Sequence, residues 1–235
     1  MFFLFIIVNF SDIFSSLITN RNSLFIVDKI EVPSYDVYAV SIEDFSTFDE
    51  ANIYASQVKE QGGAGLVYES GEKFVLLMGY PNLIEAKEIQ SNFIELGYNS
   101  RIVNLEVSAI SHKYNGNNSK TLKRSIEFFR ELYKELTNSV LNFDKKVLQR
   151  NQLNSIIAKY IAKVSDLDNN ISKLNEFFDA DYISIICHKL NVVNGYLQDL
   201  VYCDYSDVLY SSFIKEISLK IVFENIDMNY QINCI

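Results

Sequence analysis

The sequence predicts an α+β fold: a doubled β-α-β unit followed by an all-α helical bundle, behind an apolar N-terminal segment. Three observations predict it. The stretches "VSIEDFSTFDEA" from Val40 and "VLLMGYPNLIEA" from Val75 repeat one grammar of strand, cap and helix, 35 positions apart. Beyond Lys120 the apolar residues recur every three to four positions, as on a helix. The opening "MFFLFIIVNFSDIFSSLI" carries one charged side chain, Asp12.

Taking the elements in order, residues 1–19 approach the roughly 20 mostly apolar residues that span a bilayer. Asp12 would cost about 2.5–3.5 kcal/mol at mid-bilayer. No basic residues precede the run and no small-residue cleavage site stands out. The segment is read as a retained transmembrane or signal anchor, with a buried N-terminal helix as the alternative. Residues 20–34 read as a polar linker closed by Pro33 and Ser34.

"YDVYAVSI" alternates as a strand does. Thr47 and Glu50 fit a capping box at the start of the amphipathic helix "STFDEANIYASQVKEQGG". Gly62 and Gly63 end that helix. "GLVY" and "KFVLLMGY" are strands joined by the turn "ESGE". The grammar then repeats. Asn82 and Glu85 take the capping positions of Thr47 and Glu50, and Ala86, Ser91, Glu95 and Gly97 stand where Ala51, Ser56, Glu60 and Gly62 stood. A final strand includes "SRIVN". One β-α-β unit cannot bury its own apolar faces; two side by side give a four-stranded sheet with two helices on one face. That is the β-α-β-β-α-β, ferredoxin-like arrangement, over 35–107.

The Gly/Asn/Ser-rich "HKYNGNNSK" marks a linker, 108–120. Four helical segments then fill 121–235. Leu122, Ile126, Phe129 and Leu132/Tyr133 line the first, and Leu153, Ile156/Ile157, Tyr160 and Val164 the second. The third runs from about Asp181 to Tyr202, with Gly195 expected to kink it, and the fourth from Ser206 to Ile226. Short breaks between them suggest an antiparallel bundle.

Composition narrows the function. The balance of 49% hydrophobic and 22% charged residues is globular. A net charge of −9 repels a phosphate backbone, so no nucleic-acid partner is predicted. Cys187, Cys203 and Cys234 cannot all pair within one chain and read as small thiols, although one disulfide stays open in an extracytoplasmic setting. The two histidines are His112 and His188; Cys187 and His188 adjoin but point about 100° apart on a helix. No metal-ligand spacing, phosphate loop or Ser/His/Asp arrangement is present. The carboxylates Glu43, Asp44, Asp49 and Glu50 cluster, but capping and solvation account for them. The chain therefore reads as a non-enzyme with no catalytic residues, no metal and no cofactor.

Residues from about Tyr35 to Val107 resemble the SPOR (sporulation-related repeat) domain of bacterial cell-envelope proteins. The likeness is carried by Tyr38, Val40, Phe45 and Ala51 in "YAVSIEDFSTFDEA", and by Phe74, Val75, Gly79, Tyr80 and Ala86 in "FVLLMGYPNLIEA". It covers about a third of the chain. Two positions depart from the family pattern: Ser41 stands where Gln is common, and Glu43 where Gly is common. The resemblance implies binding of peptidoglycan glycan strands denuded of stem peptides, on the open face of the sheet, in cell division or sporulation. It also implies a cell-membrane location with the bulk of the chain extracytoplasmic.

By strand alternation Val40, Ile42, Val67, Val75, Leu77 and Ile102 face the two helices, leaving Ala39, Ser41, Glu43, Leu66, Tyr68, Phe74, Leu76, Met78, Arg101 and Val103 on the other side. The candidate glycan-binding residues are Ser41, Glu43, Tyr68, Phe74, Leu76, Met78 and Arg101. Aromatic rings would stack on sugars, and Ser41, Glu43 and Arg101 would hydrogen-bond them. That face is also largely apolar, as a surface to be covered is. A second reading follows: a SPOR-like scaffold whose apolar sheet face and helical domain mediate protein–protein interaction without sugar. The discriminating feature is whether the C-terminal helices dock on that face. Expected partners are the glycan, the membrane through the N-terminus, and a protein for the helical part.

Overall fold

In chain order the elements are β1 (Val27–Val32), β2 (Tyr35–Phe45), α1 (Phe48–Glu60), β3 (Leu66–Ser70), β4 (Glu72–Tyr80), α2 (Leu83–Glu95), β5 (Ser100–Val107), β6 (Ile110–Asn115), α3 (Ser119–Asp144), α4 (Arg150–Ser172), α5 (Ala180–Tyr202) and α6 (Asp207–Asn233). The computed structural model describes residues 27–115, 119–174 and 180–235. The expected anchor, 1–19, lies outside the described residues. Among them, no helix is long and apolar enough to cross a membrane.

The repeat seen in the sequence is a repeat in space. The Glu50 N–H donates to Thr47 Oγ1 and the Thr47 N–H donates to the Glu50 carboxylate, both at 3.3 Å, closing the capping box of α1. Thirty-five positions on, Asn82 caps α2 by accepting from the Ile84 N–H at 2.9 Å, without a reciprocal carboxylate bond. Ser56 and Ser91 each donate to the carbonyl four residues back, at 3.0 and 2.9 Å. Gly62 and Gly97 end their helices at φ 89° and 91°, a region that costs a side chain about 1–2 kcal/mol.

β2 to β5 form an antiparallel sheet in the order β3-β4-β2-β5. Each helix connects two strands separated by a third, so the two units interlock. Small buried residues, Ala51 and Ala55 on α1 and Ala86 on α2, let the helices lie close to the strands.

Four expectations are corrected. The two linkers hold strands: β1 and β6 pair antiparallel from Val27↔Asn115 to Val32↔Ile110, making a second, two-stranded sheet. Both strands are short, and among the side chains described in them Ile30, Val32 and Ile110 enter the core. α5 continues through Gly195, whose side faces open space. α6 extends past Ile226 to Asn233 and is not an amphipathic stripe. It is buried around much of its circumference, through Tyr210, Ile214, Ile217, Leu219, Ile221, Val222 and Met228. Finally, the helical part is not separate from the sheet: strand residues such as Val37, Ala39 and Leu76 belong to the same core as Phe129, Tyr133 and Leu219.

Candidate functional site

The sheet face opposite α1 and α2 is the candidate site, and α6 crosses it. At one edge Ser212 Oγ donates to the Gly63 carbonyl (2.5 Å) and Lys215 Nζ to the Gly62 carbonyl (2.6 Å). In mid-sheet, Gly79 leaves room for the side chains of Leu219 and Tyr133, whose atoms stand 2.9 and 3.4 Å from where a Cβ would lie. The Tyr35 hydroxyl donates to Asn225 at 3.3 Å. At the far side Asn229 and Asn233 donate to the Ser108 and Ala109 carbonyls at 2.6 and 3.0 Å. The helix is thus tied to the backbone from before β3 to after β5. Phe223, on the same helix, stacks on Tyr68 with ring centroids 5.6 Å apart and planes 7° apart.

The seven candidate residues are dispersed by this arrangement. Ser41 and Leu76 are fully buried, and the Ser41 hydroxyl donates to the Arg101 carbonyl. Met78 pairs with Val40, while Leu76 pairs with Ser41. The register shift between them places Met78 with Val40 on the α1–α2 side, because directly paired residues share a face. Phe74 is buried beneath the Arg101 guanidinium, 4.7 Å from the ring centroid. Arg101 in turn bonds Asp44 and Glu72, the latter at 3.1 Å. Glu43 sits in a second register shift at φ 55°; its N–H donates to the Asn99 carbonyl at 2.8 Å, and its carboxylate accepts from the Asn99 N–H at 3.3 Å. The structure therefore gathers Tyr68, Phe74 and Arg101 at one end of the sheet and leaves Ser41, Leu76 and Met78 inside.

Two features escaped sequence reasoning. A cleft of about 350 Å³ opens where α1, the α5–α6 turn and α6 meet, lined by Lys59, Tyr205, Leu209, Ser212, Phe213 and Glu216. Its size is at the lower end of small-ligand sites, roughly 300–1,000 Å³. Its polar groups are already engaged: Glu216, nearly buried, holds Lys59 at 2.7 Å and Lys220 at 2.8 Å, and Ser212 is bonded to Gly63. What remains on offer is apolar, including the edge-to-face pair Tyr205–Phe213. No local motif announces a site whose ion pair joins residues 59 and 216.

The second feature is exposed apolar surface. Ile53 on α1, and Ile84 and Ile94 on α2 with Leu96 just beyond, are exposed, as are Tyr202, Tyr205 and Val208 beside the cleft. Ile53 and Ile84 fall off the buried stripe of Ala51, Ala55 and Val58 or of Ala86, and that mismatch is the signal the sequence carried. Among the described residues no group of His, Cys, Asp and Glu could hold a metal ion, and Cys187, Cys203 and Cys234 are free.

No family model matches the chain, and neither the curated proteins nor the solved structures include a significant match to it. The likeness to SPOR domains rests on the motif residues alone.

Proposed function

We propose that this chain is a non-catalytic scaffold: a SPOR-like, ferredoxin-like sheet closed by its own C-terminal helix, which binds another protein through the outward side of α1 and α2 and the adjoining α5–α6 corner. The observation that carries the reading is the docking of α6 on the sheet face that SPOR domains keep open, with Ser41 and Leu76 fully buried. Exposed apolar residues then lie on other surfaces, where such patches usually mark interfaces. The SPOR likeness gains support from Glu43, since the position where the family pattern carries Gly is one with a left-handed backbone. The apolar run at 1–19 and the family likeness favour a membrane-held, extracytoplasmic place in a bacterial envelope.

The test has two arms. The full chain is sedimented with intact sacculi and with sacculi stripped of stem peptides; the expected result is background pelleting on both. In cells, photo-crosslinking from position 94, also exposed on α2, traps a protein, and Ile53→Glu/Ile84→Glu abolishes the adduct while leaving the unfolding midpoint unchanged. Pelleting that rises on stripped glycan and is lost in Arg101→Ala would overturn the scaffold reading in favour of glycan recognition.

A further inference from the structure

Another face of the molecule sets two cations, Arg130 and Lys134, around a hollow that one carboxylate, Asp36, also lines. Tyr35, Asp36 and Tyr38 at the start of β2 meet Arg130, Tyr133 and Lys134 of α3 around a hollow of about 180 Å³. Arg130 and Lys134 are one helical turn apart and so project from the same side of α3. Neither forms an ion pair among the described residues. The guanidinium lies 4.8 Å from the Tyr35 ring centroid. Stacking of that kind leaves the in-plane N–H donors at the outer end of the guanidinium available, while Arg130 Nε itself is buried. Lys134 is pushed below the usual lysine range, first by desolvation and then by the charge of Arg130. The carboxylate in the lining, Asp36, is engaged by the Asn104 amide at 3.2 Å.

We propose that this hollow is a binding site for one compact oxyanion, a phosphate or carboxylate group, held by Arg130 and Lys134. Two cations one turn apart at an open hollow, neither of them ion-paired, are an arrangement that such an anion completes, because the outer edge of the guanidinium matches two oxygens of one group. The volume is below that of pockets for drug-sized ligands, so the site fits a small ion or the anionic terminus of a larger molecule. The site is independent of the scaffold surface, which lies on α1, α2 and the α5–α6 corner.

The experiment titrates the ¹⁵N-labelled full chain with sodium phosphate and, separately, sodium acetate, against sodium chloride at constant ionic strength. The readout is the backbone amide resonances of Tyr35, residue 130 and residue 134, which every variant retains. The expected result is a saturable shift with a Kd on the order of 1 mM, the affinity two charge-assisted contacts supply. The oxyanion that saturates at lower concentration identifies the class. Lys134 is exposed, so Lys134→Gln leaves the fold intact; it weakens binding about tenfold or more, as Arg130→Gln does. Lys87→Gln, an equal charge change on exposed α2, leaves binding unaltered. A linear response shared with chloride, or an affinity unchanged in Lys134→Gln, overturns the proposal.

Discussion

Replacing Gly79 by alanine asks whether α6 truly rests on the sheet. A Cβ at that position would lie 2.8 Å from Val37 Cγ1 and 2.9 Å from Leu219 Cδ2. Carbon atoms settle at about 3.5–4.0 Å, so both methyl groups must retreat. Val37, Leu219 and the adjacent Tyr133 are all fully buried, and retreat displaces further core. Overpacking of this kind costs about 1–3 kcal/mol, whereas removing a glycine from a strand recovers about 0.5–1 kcal/mol. The net expectation is a loss of up to about 2.5 kcal/mol, read as a lower midpoint in urea at unchanged slope. With α6 undocked, Val37 could turn into open space and the glycine term alone would remain. The sign of the change therefore decides. Gly79→Ala with greater stability, by roughly the 0.5–1 kcal/mol of the glycine term alone, would refute the docking. Leu219→Ala alone should cost about 2–5 kcal/mol through the cavity it leaves. Combined with Gly79→Ala it should cost less than the sum, by about 0.5–3 kcal/mol, since the two changes relieve one contact. Additivity of the pair would equally sink the argument.

Gly195 gives the opposite expectation: in mid-helix, with nothing within 4 Å of a Cβ, Gly195→Ala should raise stability by about 0.5–1 kcal/mol in the same urea assay. Acid should destabilise the fold. The hydrogen bond from Lys189 holds Asp227 below its ordinary 3.8, and the hydrogen bond from Lys163 holds Glu131 below its ordinary 4.5. Depressed carboxylates contribute fully above those ordinary values and lose their contribution as pH falls through the lower folded ones. Urea midpoints should thus drop as pH falls below about 4.5, with a shallower acid limb in Asp227→Asn. At the alkaline end, desolvation opposes the charge on Lys189, but its hydrogen bonds to Asp227 and Glu224 prevail and raise its pKa above 10.5. Its contribution is complete below 10.5 and disappears only as pH rises through that higher folded value.

The candidate site divides along the same line as the fold. Tyr68, Phe74 and Arg101 could be assigned to one face because strand alternation is local. Met78 could not, since a shift in register between Val40 and Ser41 turned it to the other side, and such shifts depend on what the neighbouring strand and helix require. Which segment buries Ser41 and Leu76 was equally illegible, because the helix above them begins more than 130 positions later in the chain. Arg130 and Lys134 stand four apart on α3, but the ring of Tyr35 beside Arg130 and the hollow around both come from β2.

The sequence by itself determined what neighbouring residues decide among themselves. It set the starts of α1 and α2 at Thr47 and Asn82, their ends at Gly62 and Gly97, the doubling of the unit, and the buried stripes of α3 and α4. Caps, glycine stops and helical periodicity act over a few residues, so the chain carries them without any partner. Only the tertiary structure decided that β1 and β6 pair, that α6 lies nearly enclosed between bundle and sheet, and that the face a doubled β-α-β unit would leave open is shut. Those outcomes depend on apolar surfaces from distant segments finding each other, and that burial has no preferred sequence separation by which it could be read in advance.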